Sequence, residues 1–333
     1  MSIARVSHVT KRFQTLTAVD DLSFTVQEGD VYGFLGQNGA GKSTTLRMLL
    51  SLIRPTSGEI ELFGMNLATH RKEILREVGA IIEQPELYSF FSALENLQVF
   101  ARLSGRPLKR AALLEQLELV GLAGRADDKV RTYSMGMKQR LGLAAAMVHD
   151  PQLLILDEPT NGLDPQGIAD IRNLILHLSR DRKKTLIISS HLLSEVQVLA
   201  TRILIIDKGR RLAEGSSAEL LDPADTVLLL ETEDNARALE AIRDSPWAGC
   251  LEGGGALRGG GEPGLPGATA RSGQPGLSGA LMLKMDKKQI PLFNEALVGW
   301  KIPVTRLEPR HSLEDYFLHL TTNQHPHVDP FTN

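Results

Sequence analysis

The chain has 333 residues, 42% hydrophobic and 23% charged, which is typical of a globular protein with about two domains. Its net charge of −3 gives no general attraction to nucleic acid or to an anionic membrane. The single cysteine, Cys250, excludes an internal disulfide and suits a reducing compartment. We find no signal peptide and no apolar run of about 18 residues, so the sequence predicts a cytosolic chain that does not cross a membrane.

Short apolar segments alternate with helical patterns through most of the chain. The first segments, IARVSHVTKRF and LSFTVQEGD, alternate like antiparallel strands. Buried strands are predicted in DVYGFLG, QLLILDEP, KTLIISSH and RILIIDKG, and helical spacing in KSTTLRMLLSLI and GIADIRNLILHLSR. Buried strands that alternate with helices favour a mostly parallel sheet covered on both faces. Lys208-Gly209 predicts a hairpin after the last of these strands.

The composition changes after residue 221. TVLLLET predicts a strand and NARALEAIRD a helix, whereas residues 253–279 are rich in Gly and Pro. That segment has too few large side chains to offset its ordering entropy, which favours a flexible linker; a collagen-like repeat and a local frameshift are alternatives. Ordered patterns resume in ALMLKMDKKQIPLFNEALVGW and IPVTRLEPRHSLEDYFLHLTT. We predict two domains, 1–221 and 222–333, the second interrupted at 253–279.

The segment GQNGAGKST lies between a predicted strand and a predicted helix and matches the phosphate-binding loop pattern. Its residues are Gly36, Gln37, Asn38, Gly39, Ala40, Gly41, Lys42, Ser43 and Thr44. Glycines let backbone amides wrap closely around phosphates, and the following helix N-terminus adds partial positive charge. We expect Lys42 to reach the β- and γ-phosphates of ATP and Ser43 to place its hydroxyl on Mg²⁺.

The segment LLILDEPTNGLDP ends an apolar strand in Asp157 and Glu158. A carboxylate at the C-terminal edge of a parallel sheet lies beside the phosphate site. We expect Asp157 to hold Mg²⁺, directly or through water, and Glu158 to polarise the attacking water as general base. Alone, such a pair is usually a solvated turn or a helix cap, but the upstream phosphate loop favours catalysis.

Two further segments contain candidate phosphate contacts. In TYSMGMKQRLGLAAAMVHDP, Ser134 precedes a helix as an N-cap residue would, and Gly136 lets a phosphate approach the first turn. Taken alone, this pattern indicates a capped amphipathic helix. In LIISSHLLSEV, His191 follows a buried strand; a lone histidine there is usually structural, but after the other motifs a γ-phosphate contact is favoured.

These four motifs, in this order, resemble the ATP-binding cassette (ABC) family of transporter ATPases over about residues 2–221. They also resemble its bacterial subgroup that exports peptide antibiotics and drugs, of bacitracin-resistance or lantibiotic-immunity type. YSMGMKQ stands where the family signature LSGGQ would, keeping Ser134 and Gly136. NGLDP carries Asp164 at the family's dimer-contact loop. VTKRFQTLTAVDDLSF has Phe13 where an aromatic ring stacks on adenine, although ordinary strand packing is an alternative.

The resemblance implies an α/β fold with a P-loop NTPase (RecA-like) core. An antiparallel β subdomain, a helical signature subdomain and a small α+β C-terminal extension would complete it. RLEPRHSLEDYFLHLT looks like the C-terminal extension found in the export subgroup, where dimer contact and regulation are both open roles.

The family also carries a glutamine that reaches Mg²⁺ and the attacking water, on a loop that touches the membrane partner. In GAIIEQPELY the family register favours Glu83 for that catalytic position, with Gln84 as the alternative; if Glu83 holds it, Gln84 is a neighbour facing away or toward the partner. A glutamate there can ligate Mg²⁺ and accept a hydrogen bond from water, but it cannot donate as an amide does.

The resemblance also implies the assembly. Two nucleotide domains face each other head to tail, with each ATP between the phosphate loop of one copy and the signature of the other. One copy of each motif per chain implies a homodimer or a similar second ATPase subunit. A separate permease would hold the chain on the cytoplasmic face of the membrane, and no nucleic acid partner is expected. A soluble ABC-type ATPase that acts as a regulatory, ribosome-associated or nucleic-acid-associated module is the alternative.

Overall fold

The computed structural model describes residues 1–220, 226–251 and 280–310. The chain divides into two compact units, Met1–Ser217 and Ala218–Asn333. The predicted linker at 253–279 and residues 311–321 of the predicted C-terminal extension lie outside the described residues.

The first unit contains ten strands. They are β1 (Ser2–Phe13), β2 (Leu16–Gln27), β3 (Val31–Leu35), β4 (Ser57–Leu62), β5 (Met65–Asn66), β6 (Val78–Ile81), β7 (Leu153–Asp157), β8 (Thr185–Ser190), β9 (Arg202–Asp207) and β10 (Arg210–Ser216). Its helices are α1 (Lys42–Leu49), α2 (Arg71–Leu75), α3 (Ala93–Leu103), α4 (Arg110–Leu119), α5 (Met135–Met147), α6 (Pro165–Arg180), α7 (Leu193–Leu199) and α8 (Ser217–Leu220), the last of which extends into the second unit. Within the described parts of the chain, no helix is both long and apolar enough to span a bilayer.

A six-stranded sheet in the order β10-β9-β3-β8-β7-β6 forms the centre of this unit. All neighbours are parallel except β10, which pairs with β9 through the predicted hairpin at Lys208-Gly209. Every residue of β3, β7 and β8 is buried, because helices or strands cover both faces of a parallel sheet. The predicted mostly parallel sheet is therefore confirmed.

The antiparallel subdomain is a second sheet in the order β2-β1-β4-β5. It packs on one face of the central sheet through three aromatic rings. Phe24 of β2 lies 5.7 Å from Tyr32 and 5.0 Å from Phe34, both on β3, measured between ring centroids. Tyr32 and Phe34 point to the same face because side chains two apart on a strand do so. The antiparallel strands predicted for the first thirty residues are therefore confirmed.

The helical part, α3 to α5, lies against the other face of the central sheet, where α5 crosses β6 at very short range. A Cβ atom on Gly79 of β6 would lie 2.1 Å from the carbonyl oxygen of Ala146, and one on Gly142 of α5 would lie 2.5 Å from Pro85. The two glycines therefore set the distance between α5, β6 and the loop that follows β6.

The second unit contains an antiparallel sheet in the order β12-β11-β13, packed against two helices. Its elements are β11 (Thr226–Thr232), α9 (Asn235–Arg243), β12 (Leu281–Met285), α10 (Ile290–Gly299) and β13 (Val304–Arg310). Phe293 of α10 is fully buried in its core and contacts Trp247 edge to face at 5.5 Å. The described part of this unit is α+β, as the sequence predicted.

The close contact at Gly79 gives a prediction for stability. Gly79→Ala places a methyl group against the Ala146 backbone, so we expect the free energy of unfolding to fall by about 1–3 kcal/mol. Urea unfolding followed by circular dichroism measures the change. Gly124→Ala is the matched control, because no atom lies within 4 Å of its Cβ position; an equal loss in both variants would contradict the packing argument.

Candidate active site

The phosphate-loop segment connects β3 to α1, the strand and helix context that the sequence predicted. Its backbone passes through two glycines in the left-handed region, Gly39 with φ of 83° and Gly41 with φ of 104°. A Cβ atom on Gly41 would also lie 2.6 Å from the carbonyl oxygen of Ala18. Gly41 is the N-cap residue of α1 and supplies no side-chain cap, so the first amides of the helix can face an anion.

The other predicted loop residues differ in exposure. Gln37, Asn38 and Gly39 are exposed, Gly36 and Ala40 are buried, and Ser43 and Thr44 are half-buried. The turn residues and the first helical turn are therefore accessible from solvent, where a ligand could approach them.

The side chain of Lys42 is 5% exposed and folds back into the loop. Its Nζ donates to the carbonyl oxygens of Gly36 at 2.6 Å and Gln37 at 3.3 Å. It also lies 3.3 Å from Oε1 of Glu158, forming an ion pair. Burying an ammonium group is costly unless oxygen atoms surround it, and these three oxygens meet that need. Lys42 therefore holds a positive charge at the centre of the loop.

Glu158 contacts two of the predicted site residues, Lys42 and His191. While Oε1 faces Lys42, Oε2 lies 2.7 Å from Nδ1 of His191, and the Glu158 side chain is only 17% exposed. Its backbone has a φ of 49°, and its amide donates to the Ser189 hydroxyl at 2.9 Å. The end of β7 thus places this carboxylate between the phosphate loop and the loop after β8.

Asp157, the last residue of β7, is 1% exposed. Its Oδ1 accepts a hydrogen bond from the Ser189 hydroxyl, whereas Oδ2 is buried and has no hydrogen-bond partner among the described residues. A buried carboxylate oxygen without a partner is costly, and a divalent cation would satisfy it.

This orphaned oxygen fits the predicted Mg²⁺ site. Mg²⁺ is usually held by one or two protein oxygens together with phosphates and waters, and the two predicted protein ligands, Asp157 and the Ser43 hydroxyl, would match that number. Across the described residues, no group of three or more His, Cys, Asp and Glu side chains is arranged to hold a metal ion. A cation here would therefore depend on nucleotide phosphates as further ligands.

Glu83 is paired elsewhere. It lies two residues beyond β6 with a φ of 63°, and its carboxylate forms an ion pair with the guanidinium group of Arg47 on α1. The Glu83 side chain is 67% exposed. Arg47 thus links the loop after β6 to the phosphate-loop helix, a contact that the sequence analysis missed.

Gln84 is exposed and lines a groove of about 390 Å³ between β6, α3 and α5. Pro85, Leu87 and Phe100 contribute apolar walls. His149 also lines it, and burial holds the pKa of its imidazole below the ordinary value. Glu83 and Gln84 therefore occupy different surroundings although they are adjacent in sequence.

The signature segment begins α5. Ser134 is its N-cap residue, as predicted, and its hydroxyl accepts a hydrogen bond from the Met137 amide at 3.3 Å. Space around Gly136 is open, since no atom lies within 4 Å of its Cβ position. Tyr133 is buried and donates to the Arg125 carbonyl oxygen at 2.5 Å, and this burial raises the pKa of its hydroxyl. The first turn of α5 is thus firmly anchored and can be approached from outside.

Asp164 is the N-cap residue of α6, and its Oδ1 accepts from the Gly167 amide at 3.2 Å. The loop before it approaches the signature segment of the same chain, because the sulfur of Met135 lies 3.1 Å from the Cβ position of Gly162. Within this chain, Asp164 caps α6. Its side chain is exposed, and its contact with a second copy remains a prediction.

Phe13 ends β1 and is 44% exposed, with Nζ of Lys11 4.8 Å from the ring centroid. Its partner across the hairpin is Leu16, two residues before Ala18, whose carbonyl oxygen approaches Gly41. Phe13 therefore lies on the hairpin that borders the phosphate loop, and its ring is partly exposed rather than packed in the core.

Sequence reasoning missed a set of polar residues around the predicted ones. They are Arg47, Thr160, Ser189, Ser190 and Glu195. The two serines directly before His191 were the available signal, because a strand adjacent to β7 would bring one of their hydroxyls, that of Ser189, to Asp157.

A glycine loop around a buried lysine, followed on neighbouring parallel strands by two acidic residues and a histidine, defines a P-loop nucleoside triphosphatase. The ABC transporter family profile matches residues 19–161. The uncharacterized ABC transporter ATP-binding protein YhcH of Bacillus subtilis (strain 168) is 38% identical over 96% of this chain and 96% of its own length. The chain therefore belongs to the ABC transporter ATP-binding protein family, whose members hydrolyse ATP to drive transport.

Two further comparisons agree with this assignment. The bacitracin transport ATP-binding protein BcrA of Bacillus licheniformis is 50% identical over 64% of this chain and 69% of its own length. The structure of cbiO1 from Clostridium perfringens, part of the ABC transporter complex cbiONQ, superposes with a TM-score of 0.61 at 26% identity. That match covers 66% of this chain and 90% of cbiO1. The predicted family and fold are thus confirmed.

The surroundings of Glu83 and Gln84 give a test of the predicted register. Glu83→Ala should lower the rate of ATP turnover by about tenfold or more, because it removes the carboxylate expected to contact the attacking water. Gln84→Ala is the matched control and should change turnover little. Steady-state phosphate release measures both, and a larger loss for Gln84→Ala would show that the register is wrong.

Proposed function

We propose that this protein is the ATP-hydrolysing subunit of a bacterial exporter that moves a drug, a peptide antibiotic or a lipid-like compound through a separate membrane-spanning partner. Membership of the ABC transporter family supports the coupling of ATP hydrolysis to transport. The similarity to a bacitracin transport protein supports export of this class of compound.

The observation that carries the proposal is the convergence of Lys42 and His191 on the Glu158 carboxylate. In the catalytic step, Glu158 accepts a proton from the attacking water, and Lys42 neutralises charge on the β- and γ-phosphates. His191 contacts the γ-phosphate and orients the carboxylate through Nδ1. Lys42 and His191 each contact the Glu158 carboxylate directly, so the three proposed catalytic groups are already adjacent.

Mg²⁺ is the proposed cofactor, held by Asp157 and the Ser43 hydroxyl. When bound, it neutralises charge on the phosphate oxygens. The buried, unpartnered Oδ2 of Asp157 supports this assignment, and Ser189 keeps the other oxygen oriented. Glu83 would join these ligands after release from Arg47.

A second copy of the chain is the proposed partner in ATP binding. Ser134 and Gly136 begin a helix whose first turn is open to an approaching phosphate. Two chains arranged head to tail would place this turn over the ATP on the phosphate loop of the other, with Asp164 at the contact. Phe13 would stack on the adenine ring of ATP from the side of the hairpin.

The groove beside Gln84 is the proposed docking surface for the permease. Leu103 (71% exposed) lines it, and Tyr88 (48%) contacts the wall residue Phe100 with ring centroids 6.2 Å apart. Phe90 (77%), two residues after Tyr88, adds exposed apolar surface on the same loop. Contiguous exposed apolar surface is a mark of an interaction site. Docking there would hold the chain at the cytoplasmic face of the membrane and connect the permease to the loop of Glu83.

The Glu158 assignment predicts a specific defect. Glu158→Gln keeps the size of the side chain but removes the base, so we expect kcat to fall by about 100-fold or more. ATP should still bind, and the ATP-bound dimer should accumulate. Phosphate release and size-exclusion chromatography with ATP measure these effects. Glu118→Gln on the exposed side of α4 is the control; normal turnover in Glu158→Gln would contradict the base assignment.

The export proposal predicts a membrane partner. The tagged chain should copurify from detergent-solubilised membranes with a protein of several spanning helices. Phe90→Asp should abolish this copurification while leaving the ATP turnover of the isolated chain unchanged, because Phe90 lies outside the nucleotide site. Leu292→Asp, equally apolar and 59% exposed but in the second unit, is the matched control.

Deleting the gene should then increase sensitivity to compounds of the bacitracin type. A stable complex without any membrane protein would favour the soluble regulatory or ribosome-associated alternative. Loss of copurification in Leu292→Asp but not in Phe90→Asp would move the docking surface to the second unit.

A further inference from the structure

Glu195 of α7 has a half-buried side chain that faces the loops of the active site. Its Oε2 accepts a hydrogen bond from the Thr160 hydroxyl at 2.5 Å and lies 3.4 Å from the Ser190 hydroxyl. Its Oε1 is buried and has no hydrogen-bond partner among the residues that the structure describes. A buried carboxylate oxygen without a hydrogen-bond partner is energetically costly, which calls for a functional explanation.

The two hydroxyls belong to the loops that carry Glu158 and His191. Thr160 lies two residues after Glu158, and Ser190 directly precedes His191. The Ser190 hydroxyl also accepts from the amide of Leu192 at 2.9 Å, so the backbone is held on both sides of His191.

We propose that Glu195 is a positioning residue for ATP hydrolysis, which sets the His191 imidazole against the Glu158 carboxylate by tying their two loops together. Glu195 itself touches neither reacting group. Its effect runs through Thr160 on one side and Ser190 on the other, to the 2.7 Å contact between His191 and Glu158. The inference rests on the proposed roles of these two residues.

The chemistry of the contact favours a carboxylate at this position. The Thr160 hydroxyl donates to Oε2 at 2.5 Å, a short hydrogen bond of the kind that a charged acceptor favours, whereas the Ser190 hydroxyl lies 3.4 Å from both Oε2 and the Leu192 carbonyl oxygen. A glutamine can keep one carbonyl oxygen at the place of Oε2, with its amide group at the place of Oε1. An alanine leaves both hydroxyls without their shared acceptor, so the loops lose the connection.

Misplacement of a catalytic group by about 1 Å can cost roughly 100-fold in rate. We therefore expect Glu195→Ala to lower kcat by about ten- to a hundredfold, with the KM and the dissociation constant for ATP changed by less than about threefold. Glu195→Gln should recover most of the loss. Thr160→Val, which keeps side-chain shape, should lower kcat in the same direction as Glu195→Ala.

A double-mutant cycle separates positioning from a merely structural role. If Glu195 acts through His191, Glu195→Ala should have little further effect on kcat in a His191→Ala background. The full chain with ATP and Mg²⁺ is used throughout, and the unfolding temperature of each variant is recorded. Glu214→Gln is the matched control, because this half-buried carboxylate also accepts from a hydroxyl, that of Tyr32 at 2.8 Å, but lies on β10 away from the site.

Each outcome supports or overturns the inference. Multiplicative losses in the double variant, or an equal kcat loss in Glu214→Gln, would show that Glu195 supports folding only. A slow His191→Ala variant beside a normal Glu195→Ala variant would overturn the inference and leave the role of His191 intact. Normal turnover in His191→Ala would remove the proposed role of His191 and the inference with it. Should Glu195→Ala fail to fold, Thr160→Val provides the same comparison, alone and in the His191→Ala background.

Discussion

The buried positive charge of Lys42 is the constraint on which the site depends. An ammonium group at 5% exposure needs oxygen partners on several sides, because water cannot reach it in bulk. Two partners are carbonyl oxygens of its own loop, and they converge only because the chain turns through glycines. The third is Glu158, from a strand more than a hundred residues later in the chain. Loop conformation and sheet assembly therefore stabilise each other through one side chain.

The order of strands explains how distant residues meet. β3, β8 and β7 are parallel neighbours, with Leu35 beside Ser190 and Asp157 beside Ser189. Their carboxyl ends consequently lie at one edge, where the phosphate loop leaves β3. Because β8 lies between the other two strands, its Ser189 hydroxyl bonds to Asp157 at the end of β7, while His191, just after β8, reaches Glu158. The chemistry of the site follows from this register.

Much of this arrangement could be predicted because its signals are local. The glycine loop, the acidic end of β7 and the seven residues of β11 each follow from a short run of sequence. The α1 helix was predicted to continue to Ile53, but Ser51 adopts a φ of 53° and the helix ends at Leu49. The apolar pattern extends past this point because the side chains beyond the helix still contact the core, so periodicity alone could not locate the end.

The contacts that could not be predicted join residues far apart in sequence. A family register identifies Glu83, yet nothing near it in sequence indicates that Arg47 holds its carboxylate. The same is true of Glu195, whose partners lie on two other loops. A short sequence pattern can locate a residue within its loop. It cannot show which residue of another loop that side chain will contact, because this depends on the folded structure.

The partners of Glu158 also bear on how the site would respond to ATP. In the arrangement described, this carboxylate is shared between Lys42 and His191, and its Oε1 is occupied by the Lys42 ammonium group 3.3 Å away. The phosphates of ATP would compete for Lys42, since several anionic oxygens offer it more than one carboxylate does. As Lys42 turned to them, Glu158 would keep His191 as its partner, and its Oε1 would become free to accept a hydrogen bond from water. The same lysine that binds the phosphates would thus restrain the base until they arrive, which favours hydrolysis only in an occupied site.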